Sequence, residues 1–223
     1  MNNWEITRQN IDIEDKMNNW EITRQNITNH GILPVDDVPL NIIDYLKNNI
    51  TDIKANESLA GHIKQEYHYE NWPDYVSKFV LKHITHDYFY KYRTGLNILS
   101  SDKPFYIKRL WVNLQKKYEF NPIHDHTGLF SFIIFLKIPY DLKDEDDVFP
   151  NANGKKSASR LCFLVNNTFS DSIGVRDLLV DVDKSFEGKM LMFPSKLQHL
   201  VYPFYTSDDY RITVSGNVFF WVD

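Results

Sequence analysis

The spacing of apolar residues changes period along this chain. Residues 39–48 (PLNIIDYLKN) place apolar side chains at helical intervals, with Pro39 tolerated at the start. Residues 74–90 (DYVSKFVLKHITHDYFY) predict a second helix that brings Val76, Phe79, Val80 and Ile84 to one side. Asp74, behind Pro73, is its expected cap. From residue 105 the pattern shortens to strands, at 105–114, 130–138, 159–165, 176–181, 189–193, 198–203 and 210–222. The run FSFIIFLKI is apolar almost throughout, which suits a strand covered on both faces. Many short strands with turn-rich connections predict an antiparallel barrel or double-sheet jelly roll, supported by the preceding helices. Between the strands, residues 141–159 (DLKDEDDVFPNANGKKSAS) are acidic, then basic, with Pro and Gly inside. They read as an exposed loop of solvated charge, without a calcium-loop pattern.

The beginning carries an exact repeat. MNNWEITRQNI at 1–11 recurs at 17–27 after DIEDK, and no third copy follows, so a solenoid is excluded. Three regions are expected: a duplicated segment to residue 30, a helical support over 31–104, and a strand-rich jelly-roll core over 105–223, all integrated into one unit. Thirteen Tyr, fifteen Phe and five Trp favour a strand-rich structure with an aromatic core or cleft. A net charge of -5 without a long basic run makes polymeric nucleic acid and anionic membranes poor partners. Cys162 is the sole cysteine, so an intrachain disulfide is impossible, and its LCFL setting reads as a buried thiol. No apolar run is long enough to cross a bilayer, and the polar start differs from a secretory signal; a soluble, cytoplasmic protein is expected.

Glycine-rich phosphate loops, serine elbows and paired-cysteine zinc motifs are all missing. The chemistry that remains lies in three short strings: NPIHDHTG with His124 and His126, FPSKLQHL with His199, and RITVSGN opened by Arg211. A two-residue offset on a strand sends His124 and His126 to the same face, and a distant third imidazole closes one face of a metal. Asp125 is the alternative to His126, pointing the other way if the strand is regular. Arg211 adds a permanent charge with a planar fork suited to a carboxylate. This set points to an iron-dependent oxygenase. His83 and His86 also have a metal-like spacing, but with no third partner evident they read as packing or surface residues.

With WVNL, NPIHDHTG, SFIIFLKIP, FPSKLQHLVYPF and RITVSGN in this order, residues 105–223 resemble the 2-oxoglutarate and iron(II)-dependent oxygenase superfamily. The likeness is greatest to uncharacterised oxygenases of tailed bacteriophages, including cyanophages. It implies a mainly β fold, the double-stranded β-helix (a cupin-like jelly roll), with supporting N-terminal helices. It also implies Fe(II), 2-oxoglutarate and molecular oxygen, and hydroxylation of a peptide, protein or small molecule with release of succinate and carbon dioxide. The setting would be the cytoplasm of an infected host cell. In the family pattern His124 matches the first ligand, His199 the third, and Arg211 the anchor for the far carboxylate of 2-oxoglutarate. The second ligand is ordinarily Asp or Glu; here the position holds His126. Thr213 and Ser215 alternate with Arg211, and Ser215 and Asn113 are further cofactor-binding candidates. Trp111 is expected on the cavity wall; Tyr118, Phe130, Phe132 and Tyr202 are other aromatic candidates. The departure at His126 keeps two other readings open. One is a three-histidine dioxygenase that does not use 2-oxoglutarate, similar to the thiol dioxygenases of the cupin class. The other is a non-enzymatic, anion-binding jelly roll.

Overall fold

The computed structural model describes residues 18–51, 53, 59–92, 103–151, 154–166 and 175–221. The first copy of the repeat lies outside these residues. The second copy forms a helix, α1 (Asn19–Ile27). Asn18 accepts from the Glu21 amide while Glu21 accepts from the Asn18 amide, a reciprocal cap that fixes the helix start. Trp20 and Ile27 are buried, so this copy is part of the packed structure.

Next come β1 (Leu33–Val35), α2 (Leu40–Asn48), β2 (Glu66–His68), α3 (Asp74–Leu81) and α4 (His86–Tyr92). The single helix expected over 74–90 is broken. Thr85 opens a new start, accepting from the Tyr88 amide through its hydroxyl and from the Phe89 amide through its carbonyl. Asp74 is the first helical residue, Pro73 stands at the cap position, and no side chain caps that end. The remaining elements are β3 (Phe105–Gln115), β4 (Asn121–His124), β5 (Phe130–Lys137), α5 (Leu142–Asp147), β6 (Leu161–Asn166), β7 (Val175–Val180), β8 (Met190–Pro194), β9 (His199–Val201) and β10 (Arg211–Phe220).

The strands form two antiparallel sheets, one in the order β1-β8-β5-β10-β3-β2 and the other β4-β9-β6-β7. Among the described residues each sheet ends in free edges, and no strand pair joins one sheet to the other. The expected closed double-stranded β-helix, the cupin-like jelly roll, is therefore not formed. The fold is mixed α/β with two open antiparallel sheets. Alternating short strands specify antiparallel pairing, but they do not specify closure. Helices also cover the outer face of the larger sheet, which buries that face without curling it into a barrel.

Side-chain alternation divides the interior in two. Phe130, Phe132, Ile134 and Leu136 of β5 join Leu110, Val112, Val214, Met190 and Met192 in a core under α2, α3 and α4. Ile133, Phe135, Leu191 and Phe193 point the opposite way, into a core shared with Leu161, Phe163 and Trp20. Gly216 lies where β10 crosses Phe132. A Cβ there would come within 2.4 Å of the Phe132 ring and 2.9 Å of the Arg109 carbonyl.

The acidic segment is also different from the expected loop of solvated charge. Glu145 of α5 is fully buried and accepts from the amides of Tyr205 and Thr206. Asp146 pairs with Arg160, whose Nε also donates to Asp181 at 2.9 Å. Charge that reads as solvated thus docks α5 against the turn that leads into β10. Among the described residues no helix is long and apolar enough to cross a membrane.

Candidate metal centre

The inner face of the larger sheet supplies one wall of a cleft. Register places Glu66 opposite Asn113, Asn113 opposite Thr213, Trp111 opposite Ser215 and Gln115 opposite Arg211. All of these side chains line the cleft, together with Ile133 and Phe135. The facing sheet contributes Asn121, His124, Leu161, His199 and Val201. The enclosed space is about 50 Å³, room for a few water molecules.

His124 and His199 are cross-strand partners on β4 and β9, and His126 follows just beyond the end of β4. The His126 amide donates to the Ser195 carbonyl at 2.8 Å, which holds the HDH turn against the end of β8. One ligand atom from each of the three imidazoles lies within 4.8 Å of the other two. His124 Nδ1 donates to the Pro122 carbonyl at 2.7 Å, and His199 Nδ1 donates to the Leu197 carbonyl at 3.0 Å. Each bond fixes the tautomer and leaves Nε2 with a free lone pair. Burial holds all three imidazoles below their ordinary pKa, with His126 lowered to about 4 and His199 lowered well below the usual range. Their mutual repulsion adds to this for His126 and His199. Neutral imidazoles with converging lone pairs are what a transition metal requires, and the residues fit such an ion.

Asp125 is exposed and paired with Lys196 at 3.2 Å, turned away from the histidines. Trp111 does form cleft wall, with its ring 5.7 Å from that of His126. Of the other aromatic candidates, Phe130 and Phe132 belong to the helix-side core, Tyr118 is 62% exposed, and Tyr202 lines a separate surface cavity. His83 packs edge-on against Phe79, and His86 stacks on Tyr90.

Arg211 is 3% exposed and its five N–H groups are all engaged. Nε and Nη2 both donate to Gln115 Oε1, Nη1 donates to the Tyr140 hydroxyl and the Ser159 carbonyl, and Nη2 also donates to the Tyr202 carbonyl. No carboxylate among the described residues pairs with it. Gln115 and Tyr140 are the partners that sequence reasoning missed. The strand alternation Trp111, Asn113, Gln115 carried the signal for the first; nothing marked Tyr140.

Glu66 is also new. It is half-buried in the cleft, and burial, followed by the nearby Glu119, raises its carboxyl to about 7. Among the described residues it has neither a hydrogen-bond donor nor a cation as partner. Its strand was not expected, because three residues are too short to show an alternation.

Residues 109–217 match the family model described as "Putative 2OG-Fe(II) oxygenase". This segment, just under half of the chain, resembles that family. The matched segment contains every histidine and arginine of the cleft. No curated protein matches the chain. Among solved structures, a 2OG-Fe(II) oxygenase family oxidoreductase from Burkholderia pseudomallei aligns with a TM-score of 0.50 and 9% identity. The alignment covers 89% of each chain, a likeness of fold. A Pseudomonas putida prolyl-4-hydroxylase aligns at 0.47 with 12% identity, over 91% of this chain and 100% of that one. HygX from Streptomyces hygroscopicus, solved with nickel and 2-oxoglutarate, aligns at 0.45 with 10% identity, over 87% and 85%. Among the described residues, the clustered ligand atoms come from three histidines, with no Asp or Glu.

Proposed function

We propose that this chain is an iron(II)-dependent dioxygenase in which His124, His126 and His199 hold the metal and 2-oxoglutarate is not consumed. The observation that carries this reading is the all-imidazole donor set. Three neutral nitrogens leave the full charge of the ion uncompensated, so an anionic group of the substrate can supply the negative charge that a carboxylate ligand would otherwise provide. One feature of the surroundings agrees: every guanidinium donor of Arg211 is already taken by the protein.

Bound iron would supply the redox centre at which oxygen and substrate meet. The chain's own groups prepare that place. The Pro122 and Leu197 carbonyls hold two imidazoles in the ligating tautomer. Trp111, Ile133, Phe135, Leu161 and Val182 line the cleft with apolar surface that excludes bulk water. Arg211 contributes a fixed positive field without releasing a hydrogen bond.

The test is anaerobic loading with Fe(II), then oxygen uptake measured with a panel of small thiols and carboxylates, with and without 2-oxoglutarate. Uptake that proceeds equally without 2-oxoglutarate is expected. Turnover that requires it and releases stoichiometric succinate would overturn the reading. That outcome is the second reading, a 2-oxoglutarate-dependent hydroxylase. It is favoured by Arg211, Asn113 and Ser215 sharing one cleft with the histidines.

A further inference from the structure

Near Gly61, the cleft holds a group of acceptor oxygens. Glu66 Oε1 and Asn121 Oδ1 converge on one point beside Gly61, 2.5 and 2.6 Å from where a Cβ would stand. Asn113, directly across from Glu66 in the sheet, is 7% exposed and its Oδ1 has no hydrogen-bond partner; Asn121 Oδ1 is likewise buried without one. Glu66 has no donor or cation among the described residues, and Glu119 adds a second carboxylate nearby. These acceptors line one cleft, and buried acceptors left unpaired cost more than the bonds they would make. Water alone would satisfy the amides but would leave the carboxylate without a counter-charge. A group that brings several N–H donors and a positive charge satisfies all of them at once.

We infer that Glu66, Asn113 and Asn121 form a subsite for a protonated amine on the organic substrate, with Glu66 its counter-charge. The substrate is then an amine whose other end reaches the histidine cluster, an assignment that rests on the proposed dioxygenase reading. Gly61 is part of the subsite because a methyl there would collide with Glu66 Oε1 and Asn121 Oδ1 and push them apart.

The experiment uses three probes of matched length, n-butylamine, 1-butanol and butyrate, titrated by calorimetry into the anaerobic, iron-loaded protein in an amine-free buffer at pH 8. The wild type should bind butylammonium most tightly. Glu66→Gln, which keeps the shape and removes the charge, should weaken butylammonium by about tenfold or more and leave butanol unchanged. Gly61→Ala should weaken butylammonium in the same way, by displacing the Glu66 and Asn121 oxygens. Equal butylammonium affinity in wild type and Glu66→Gln, a preference for butyrate, or no butylammonium binding at millimolar concentration would each overturn the subsite. Iron measured on the same samples separates the two claims. A protein that prefers the ammonium but holds no iron loses the dioxygenase reading, whereas one that holds iron without the preference loses only the subsite.

Discussion

Replacing Glu66 with Gln should stabilise the protein, and do so only where the carboxyl would be ionised. Burial and Glu119 raise the folded-state pKa from 4.5 to about 7. Below the lower value both folded and unfolded chains are protonated and the two variants are equivalent. As pH rises from 4.5 towards 7 the unfolded chain releases its proton while the folded chain keeps it, so the wild type loses stability over that window. The difference in pKa is worth roughly 3 kcal/mol at most. The carboxyl is only half-buried, and solvent screening reduces this to about 1–2 kcal/mol. Gln imitates the protonated form and does not titrate. Urea unfolding of both proteins should therefore show Glu66→Gln more stable by about 1–2 kcal/mol at pH 8, falling to a few tenths at pH 5. An equal gain at both pH values would locate the effect in packing and not in charge. A loss at pH 8 would mean that the wild-type carboxylate has a stabilising partner, which would refute the argument.

The other expectations are simpler. His199→Ala should abolish stoichiometric iron binding measured by metal analysis, while Asp125→Ala should keep it and shift stability by no more than about 0.5 kcal/mol; the reverse pattern would transfer the ligand role to Asp125. Arg211→Ala strips partners from Gln115, Tyr140, Ser159 and Tyr202 and should cost at least about 3 kcal/mol in urea unfolding; a loss under about 1 kcal/mol would show that these contacts are not what holds the segment. Gly216→Ala should cost about 2–3 kcal/mol, because the Arg109 carbonyl is backbone and the Phe132 ring is enclosed in the core; an unchanged midpoint would mean that β10 can move away from β5.

What could be read in advance follows from how far each signal extends along the chain. The strands at Phe105, Phe130 and Arg211 are eight to eleven residues long, enough to show an apolar or alternating run. Strands at Leu33, Glu66 and Asn121 have three or four residues, too few for any period, and two of them bring Glu66 and Asn121 into the cleft. The histidines were visible because an i, i+2 pair needs only local geometry to share a face. Closure into a barrel was not, since it depends on how distant edges meet. Glu145 and Asp146 were misjudged for a related reason: composition reports charge but not the amides or the Arg160 that neutralise it.

Among the described strands β4 lies at the rim of the smaller sheet, paired with β9 alone and with a register irregularity between Asn121 and His124. Such a rim strand frays more readily than its neighbours. An ion shared by His124 and His199 would tie this rim to β9, so metal loading should slow amide exchange at Ile123 and His124 while leaving β5 unaffected. Chelation would return the rim to its loose state. The three-histidine cluster would then double as a latch, with the smaller sheet gaining its full rigidity only once a metal is bound.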